Sequence, residues 1–421
     1  MNTTPLPARR RHDIDALRVF AFALLILYHA SGIWQRDSDF VIVSGYQHGW
    51  IEWARIALNR WRMPLLFLIS GVALSLALRA RPQGGWRMFG KRSVRLLLPL
   101  VFGMLVVVPV QPYVEAVNRG SIEPGYLRFW WQYVQLRQWP DDAFSAARYG
   151  MTWAHLWYLP YLWCYTAVLL ALRPLLESRL VRQGMSGWLR LATLPWLLLP
   201  GFWLFVCVWW LQPLFPETHA LFGDWFAHGL YFACFLCGWL VAPHDGFWRR
   251  LRALRWPLLA WAVVFITIEL GLRAAGRFLP PHDVPAWAGH VPWGMIERAA
   301  RALYTCTALL AILGWASTWL DRPFRWLRWA NEAVYPCYIL HQSVLVVLAY
   351  WLIPLQLGPW IEPTLIIAGT FALCLLLFAG IRRMALLRPM FGLPARGIRR
   401  SPAADGPRSA GSRHRHASHR A

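Results

Sequence analysis

Long apolar segments alternate with short polar connections along the chain. Residues 16–30 contain a single charged side chain, and residues 96–110 contain none. A helix of about 20 apolar residues is long enough to cross the hydrocarbon core of a bilayer. The segments are continuous apolar runs without the apolar/polar alternation of membrane β-strands, so the pattern favours helices over a barrel.

Ten segments have the length and apolar character of membrane spans. They are residues 14–34, 58–78, 94–113, 155–175, 189–211, 225–241, 256–274, 302–320, 335–353 and 363–381. Each is expected to be an α-helix, because lipid offers no hydrogen-bond partner to the backbone. The predicted fold class is therefore all-α, a polytopic transmembrane bundle of about ten helices.

The placement of arginine predicts the orientation of this bundle. Arginine-rich clusters occupy residues 9–11, 79–95, 173–190, 249–255, 322–328 and 382–383. By contrast, residues 212–224 and 354–362 contain no arginine. Because positively charged connections remain in the cytoplasm, an even number of helices with both termini cytoplasmic fits every cluster. The expected location is the cytoplasmic membrane of a bacterium, with multiple crossings.

Composition agrees with this pattern and excludes other classes. Hydrophobic residues make up 57% of the chain and charged residues 15%, whereas about a quarter of a soluble domain is charged. The net charge of +23 would otherwise be typical of a nucleic-acid-binding protein. Since the arginines cluster between apolar segments, we interpret the charge as membrane orientation and expect the lipid bilayer as a partner, with no nucleic acid.

The seven cysteines all lie within apolar segments. Cys234 and Cys237 have the spacing of a redox or metal pair, but no second pair or histidine cluster accompanies them. We interpret the cysteines as small buried hydrophobes and predict no metal site.

The chain is predicted to form one membrane domain with two short flanking segments. Residues 1–13 form a cytoplasmic N-terminal segment, 14–388 the transmembrane domain, and 389–421 a basic, disordered cytoplasmic tail. The connection 115–154 is rich in aromatic residues. These fit either an interfacial belt or a surface on which sugar rings stack.

Ionisable side chains of the first span are functional candidates, because charge is expensive to bury in a membrane. Asp15, Arg18 and His29 lie on one helical stripe. Asp15 and Arg18 are close enough to pair. About three turns, or roughly 16 Å, separate Arg18 from His29. Arg18 is therefore expected near the cytoplasmic edge, with His29 deeper in the membrane.

The second and third spans contain further candidates. Ser70, followed by Gly71, marks either a small-residue helix contact or a polar opening beside a ligand. Arg92 and Arg95 share a helical face that suits the clamping of phosphates, although membrane topology alone would also place arginines there.

Later spans carry the remaining candidates, which are His155, Trp157, Glu269, Tyr338 and His341. Glu269 can pair with Arg273, which lies one turn further along the same helix. Polar side chains on several separate helices predict a shared cavity.

Together these stretches resemble the membrane acyltransferase-3 family, whose members move acyl groups from coenzyme A to carbohydrates and related acceptors. The matching elements are the Arg18–His29 spacing, residues 67–71, the Arg92/Arg95 pair, residues 155–159 and residues 335–342. The last two look closest to the branch that modifies periplasmic glucans. One departure is Val72, where the family usually has an aromatic residue.

The resemblance implies a cytoplasmic acyl-CoA donor, acetyl-CoA or succinyl-CoA, and a carbohydrate hydroxyl as the outer acceptor. Arg92 and Arg95, with Ser70 nearby, are expected to hold coenzyme A. Arg18, paired with Asp15, is expected to orient the donor. His29 is expected to act as general base, with an acyl-histidine intermediate as a variant.

A transporter or flippase of a polar or lipid-linked substrate is the alternative class. It would also need many helices and polar groups within the membrane. However, Gly/Pro-broken helices in inverted repeats, which would favour transport, are not apparent in the sequence. The oligomeric state remains open at this stage.

Overall fold

The computed structural model describes residues 11–80, 84–279 and 290–395. These residues form a bundle of ten principal helices, which we number in chain order. They are α1 (His12–Ser31), α2 (Trp50–Ala80), α3 (Gly85–Asn118), α4 (Ala154–Leu176), α5 (Thr193–Leu214), α6 (Trp225–Val241), α7 (Asp245–Phe278), α8 (Trp293–Trp319), α9 (Leu327–Leu355) and α10 (Ile361–Ile381).

The structure confirms the predicted all-α membrane fold. Within the described ranges, nine of the ten helices are long and apolar enough to cross a membrane, and α6 is shorter. Several helices extend beyond the predicted spans, as in α7, which runs through the arginine cluster 249–255. The apolar pattern marks only the part of a helix that fits the hydrocarbon core, whereas backbone hydrogen bonding continues into the polar region.

Helix α2 is one of the two most buried helices of the bundle. In both α2 and α8, 72% of the apolar window lies inside the protein, against 17% in α7. Phe67, Ile69 and Val72 of α2 belong to the main apolar core. Polar side chains of α2 at the same depth therefore face protein or an internal cavity, and lipid does not reach them.

Two glycines allow α2 and α6 to pack backbone against backbone. A Cβ atom at Gly71 would collide with the carbonyl oxygen of Phe235, and one at Gly238 would collide with that of Leu68. Such close approach through small residues is typical of membrane helix pairs. The expected helix contact at Gly71 is thus present, and the neighbouring Ser70 has a separate environment described below.

The connection between α3 and α4 contains a small apolar core of its own. Phe129 and Tyr133, on the short helix Tyr126–Val134, pack with the buried Phe144. The half-buried Trp139 joins them, while Trp131 remains exposed. Most of these aromatic residues therefore form the core of the connection. The sequence analysis had instead predicted an interfacial belt or a sugar-stacking surface.

Side chains that follow α10 pack against the helical bundle past residue 388. After the short helix Leu387–Met390, the side chains of Phe391 and Leu393 are buried. The backbone carbonyl of Gly392 accepts a hydrogen bond from Arg95 Nε at 3.0 Å. Packing thus continues to about residue 393, while residues 1–10 and 396–421, which include most of the predicted flanking segments, lie outside the described residues.

Candidate functional site

Two cavities lie within the bundle and share one wall. Leu66, Tyr158 and Tyr338 line both of them. The first, which we call the histidine cavity, has a volume of about 170 Å³. Its polar lining residues are Tyr28, His29, Asn59, Arg62, His155, Glu217, His219 and Tyr231. The second, which we call the basic cavity, has a volume of about 380 Å³. Its other polar lining residues are Arg18, Ser70, Lys91, Arg92, Arg95, Asn331 and Tyr335.

Three histidines from three helices meet beside the histidine cavity. The ring centroid of His341, on α9, lies 5.3 Å from that of His29, on α1, and 4.9 Å from that of His155, on α4. His29 is partly exposed to the cavity, while His341 is fully buried behind it. The bundle therefore brings together residues that are far apart in the sequence, as the prediction of a shared cavity required.

The hydrogen bonds of His155 indicate one neutral tautomer. Its Nε2 donates to the carbonyl oxygen of Ile339 at 3.0 Å, so Nδ1 is free to accept from Gln111 Nε2 at 3.2 Å. Gln111 also donates to Ser343 Oγ at 2.8 Å. His155 is buried, and these hydrogen bonds hold its ring between α3 and α9.

His341 has the opposite arrangement of ring nitrogens. Its Nδ1 donates to the carbonyl oxygen of Tyr338, one turn earlier on α9, at 2.7 Å. Nε2 is then the unprotonated nitrogen, and it is buried without a hydrogen-bond partner among the described residues. His341 also lines an apolar crevice between α1, α9 and α10.

Arg62 and Glu217 were missed in the sequence analysis, and both line the histidine cavity. The guanidinium carbon of Arg62 lies 3.5 Å from the ring centroid of Tyr28. Glu217 accepts hydrogen bonds from the Tyr231 hydroxyl at 2.5 Å and from His219 Nε2 at 3.0 Å. Burial raises the pKa of the Glu217 carboxyl, but these two hydrogen bonds and the charge of Arg301 outweigh it and bring the pKa below its ordinary value.

A signal for Arg62 was present in the sequence, because it lies inside a predicted span and intramembrane arginine is costly. No comparable signal marks Glu217, which belongs to the connection between α5 and α6. That connection is held by Asp224, whose Oδ2 accepts hydrogen bonds from the Tyr161 hydroxyl at 2.6 Å and from the His219 backbone at 3.0 Å. His219 then stacks on Trp157, with ring centroids 4.2 Å apart.

The lining of the basic cavity is positively charged. Arg18, Lys91, Arg92 and Arg95 all line it. Nε of Arg92 is buried and has no hydrogen-bond partner among the described residues. These cations come from α1 and α3, two helices that the sequence alone did not show to be neighbours. A cavity with four cationic side chains suits a ligand with several phosphate groups.

Ser70 and Tyr158 connect the basic cavity to its shared wall. Their hydroxyl oxygens are 2.7 Å apart, so one donates to the other. Ser70 thus faces a polar opening, while the adjacent Gly71 makes the helix contact. The helix contact predicted for this pair is therefore made by Gly71, while Ser70 lines a cavity.

The remaining predicted residues have distinct positions. Asp15 Oδ1 lies 3.5 Å from Arg18 Nη1, as the spacing predicted. Tyr338, on the shared wall, donates its hydroxyl to the carbonyl oxygen of His155 at 2.7 Å. Trp157 lines the histidine cavity next to them.

Glu269, predicted as a cavity residue, lines neither cavity. Its carboxylate is buried and pairs with Arg60 at 2.6 Å and with Arg273 at 3.5 Å. Arg273 also pairs with Glu297. The group joins α2, α7 and α8, so Glu269 contacts partners that hold helices together and does not reach the histidine cluster.

The chemistry available at the two cavities is complementary. The histidine cavity offers an imidazole that can accept a proton, a buried cation and a carboxylate. The basic cavity offers cations for phosphates. Among the described residues, no group of three or more His, Cys, Asp or Glu side chains is arranged to hold a metal ion.

Comparison with known proteins adds one finding. A family model described as an acyltransferase domain, of the acyltransferase-3 type, matches residues 11–379. The match includes all ten helices except the last residues of α10. No curated protein and no solved structure matches the chain.

Proposed function

Because the chain belongs to the acyltransferase-3 family and is a membrane acyltransferase, we propose that it transfers an acyl group from acyl-CoA to a carbohydrate hydroxyl. The observation that carries this proposal is the pair of cavities with one shared wall. A basic cavity for the donor and a histidine cavity for the acceptor adjoin at Tyr158 and Tyr338.

The basic cavity supports a donor with phosphate groups. Arg92 and Arg95 lie one turn apart on α3, and Arg18 faces them from α1. Guanidinium groups bind phosphate oxygens through paired hydrogen bonds. Acyl-CoA carries several phosphates, and its acyl thioester is at the opposite end of a long arm. The positive-inside rule supports an orientation in which this cavity faces the cytoplasm, where acyl-CoA is made.

The histidine cavity supports a carbohydrate acceptor. Trp157 and the adjacent His219 provide an aromatic wall of the kind against which sugar rings pack. The Glu217 carboxylate can accept hydrogen bonds from sugar hydroxyl groups. In that orientation, the distance along α1 between Arg18 and His29 supports a position of this cavity deeper in the membrane and nearer the outer side. Periplasmic glucans are acceptors of this chemical type.

In the reaction, a lone pair of the acceptor oxygen attacks the thioester carbonyl carbon, and His29 takes the hydroxyl proton. The carbonyl electrons move to oxygen to give a tetrahedral intermediate. The intermediate then collapses, the carbon–sulfur bond breaks, and the thiolate of coenzyme A takes the proton. Only the thioester end of the donor needs to pass Tyr158 and Tyr338, so the acyl group changes cavity while both larger molecules stay on their own sides.

The test uses purified protein in lipid vesicles with labelled acetyl-CoA or succinyl-CoA and a glucan oligosaccharide. We expect label on the oligosaccharide with the parent protein and a loss of about a thousandfold in kcat with His29→Ala, because the general base is removed. His48→Ala is the matched control, since His48 is exposed and lines neither cavity.

Equal acylation by the parent and by His29→Ala would contradict the role of His29. Accumulation of oligosaccharide inside the vesicles without any acyl transfer would support transport instead.

A further inference from the structure

Arg62 is a buried cation with unused hydrogen-bond donors at the histidine cavity. It lies on α2, with 5% of its surface exposed. Nη2 donates to Asn59 Oδ1 at 3.3 Å. Nε and Nη1 are buried without a partner among the described residues. The N–H groups of an arginine in a protein interior are normally hydrogen-bonded. The two unpartnered nitrogen atoms of Arg62 are therefore suited to an anionic group that is not part of the protein.

The neighbours of Arg62 stabilise its charge only in part. The face of the Tyr28 ring provides a cation–π contact. Glu217 lines the same cavity but is hydrogen-bonded to Tyr231 and His219, and it makes no ion pair with Arg62. An unpaired buried charge destabilises a fold, which is the pattern expected where a charge serves a reaction.

Arg55 provides the contrast within the same helix. It lies two turns before Arg62 and also stacks on Tyr28, at 4.2 Å. However, its Nη1 donates to the Tyr28 carbonyl oxygen at 2.7 Å and to Ser31 Oγ at 3.1 Å. Arg55 lines neither cavity. No nitrogen of Arg55 is buried without a partner among the described residues, so the unpartnered Nε and Nη1 of Arg62 are not a general feature of arginines at this helix interface.

We propose that Arg62 stabilises the oxyanion that forms when the acceptor attacks the thioester. This inference rests on the function proposed above. As the acceptor hydroxyl adds to the carbonyl carbon, the negative charge develops on the former carbonyl oxygen while His29 becomes positively charged. Arg62 lines the cavity with His29 and donates to that oxygen. The electron pair of the oxyanion then re-forms the carbonyl bond, the carbon–sulfur bond breaks, and the negative charge leaves on the thiolate, which takes the proton from His29.

The histidine cavity is a suitable place for this interaction. Donors that are already oriented, in a site shielded from bulk water, stabilise a developing charge without reorganising at the moment of reaction. Arg62 therefore acts on the transition state more than on the bound substrates.

The experiment compares Arg62→Gln and Arg62→Lys with the matched control Arg55→Gln, in the vesicle assay with labelled acetyl-CoA. Loss of an oxyanion donor lowers kcat by about 100- to 1,000-fold. We expect this loss for Arg62→Gln, with KM for donor and acceptor within about twofold of the parent. Arg62→Lys should retain an intermediate rate, and Arg55→Gln should stay within about threefold of the parent.

A rescue experiment separates this role from a structural one. Arg62→Ala leaves a space in which added guanidinium ion can supply the missing donors. We expect millimolar guanidinium to raise kcat of Arg62→Ala by at least about tenfold, with no effect on His29→Ala. Rescue would also show that the variant is folded.

Three results would overturn the proposal. They are a kcat for Arg62→Gln close to that of the parent, a rise in KM with unchanged kcat, and the absence of rescue. The second would make Arg62 a binding residue for the acceptor. Failure of the proposed function is distinguishable, because the parent protein itself would then transfer no acyl group.

Discussion

Tyr158 and Tyr338 occupy the boundary at which the two cavities meet, and their hydroxyl groups are held by the protein. Tyr158 shares a hydrogen bond with Ser70, and Tyr338 donates to the His155 carbonyl oxygen. The rings are therefore held in place as part of a fixed wall. Their ring centroids are 6.3 Å apart in an edge-to-face contact, so an acyl group that crosses from one cavity to the other has to displace these two rings.

Arg92 offers a direct test of the donor site. Replacing it with Gln removes a partly buried cation from the lining of the basic cavity. Because a hydrogen bond to a charged group contributes about 1.5–3 kcal/mol, we expect KM for acyl-CoA to rise about 10- to 100-fold, with a smaller effect on kcat. The measurement is the dependence of initial rate on acyl-CoA concentration.

Arg87→Gln is the control for Arg92, since Arg87 is exposed on the same helix and lines neither cavity. It should leave KM for acyl-CoA unchanged. If KM for acyl-CoA were unchanged in both variants, the arginine cluster would serve membrane orientation alone. Sequence reasoning left that alternative open.

At the residue scale, sequence reasoning found the candidates that can be recognised within a single helix. Arg18 and His29 stood out because polar groups within a span are expensive. Glu269 stood out for the same reason, but its partner Arg60 lies on another helix. A buried charge can take part in a reaction, or it can belong to an ion pair between helices. Only the packing of the helices distinguishes the two.

At the scale of helices, the contact between α2 and α6 determines where the site residues of α2 point. Gly71 and Gly238 let the two backbones approach closely. Ser70 then faces the basic cavity, and Arg62, two turns earlier, faces the histidine cavity. One helix thus supplies a polar side chain to each cavity.

Substitution of Gly71 by Ala should separate these two helices. The added methyl group would collide with the Phe235 carbonyl oxygen, and overpacking of this kind costs about 1–3 kcal/mol or more. We expect the Tm in detergent to fall by about 5 °C and acyl transfer to weaken, because the side chains of α2 lose their positions.

Gly271→Ala is the control for this contact. Gly271 is also within a helix, α7, but a Cβ there would have no neighbour within 4 Å. Since Ala favours a helix over Gly by up to about 1 kcal/mol, its Tm should be unchanged or slightly raised. An equal fall in Tm for both variants would mean that the close contact of α2 and α6 is not what Gly71 provides.

At the scale of the whole molecule, the number of crossings determines which side each cavity faces. Nine helices in the described ranges satisfy the length criterion for a span, and α6 is shorter. The orientation predicted from the arginine clusters needs an even number of crossings, and under that prediction α6 also crosses. Its tight packing against the buried α2 makes a short span sufficient, because protein covers one side of it.

Reporter fusions at the C-terminus test this topology. With ten crossings and a cytoplasmic N-terminus, we expect a C-terminal fluorescent protein to be bright and a C-terminal alkaline phosphatase to be inactive, since each folds on one side only. The opposite result would mean an odd number of crossings, with α6 lying outside the membrane. Fusion of the same reporters to the N-terminus provides the control for orientation.

The sequence by itself determined the all-α membrane fold, the approximate number of helices and the polar positions on each helix. It could do so because hydrophobic length and charge within a span are local properties that lipid imposes on each segment separately. Only the tertiary structure decided that His29, His155 and His341 meet, that Arg62 and Glu217 join them, and that Glu269 does not. The rotation and pairing of membrane helices depend on close packing between non-adjacent segments, and that information is spread over the whole chain.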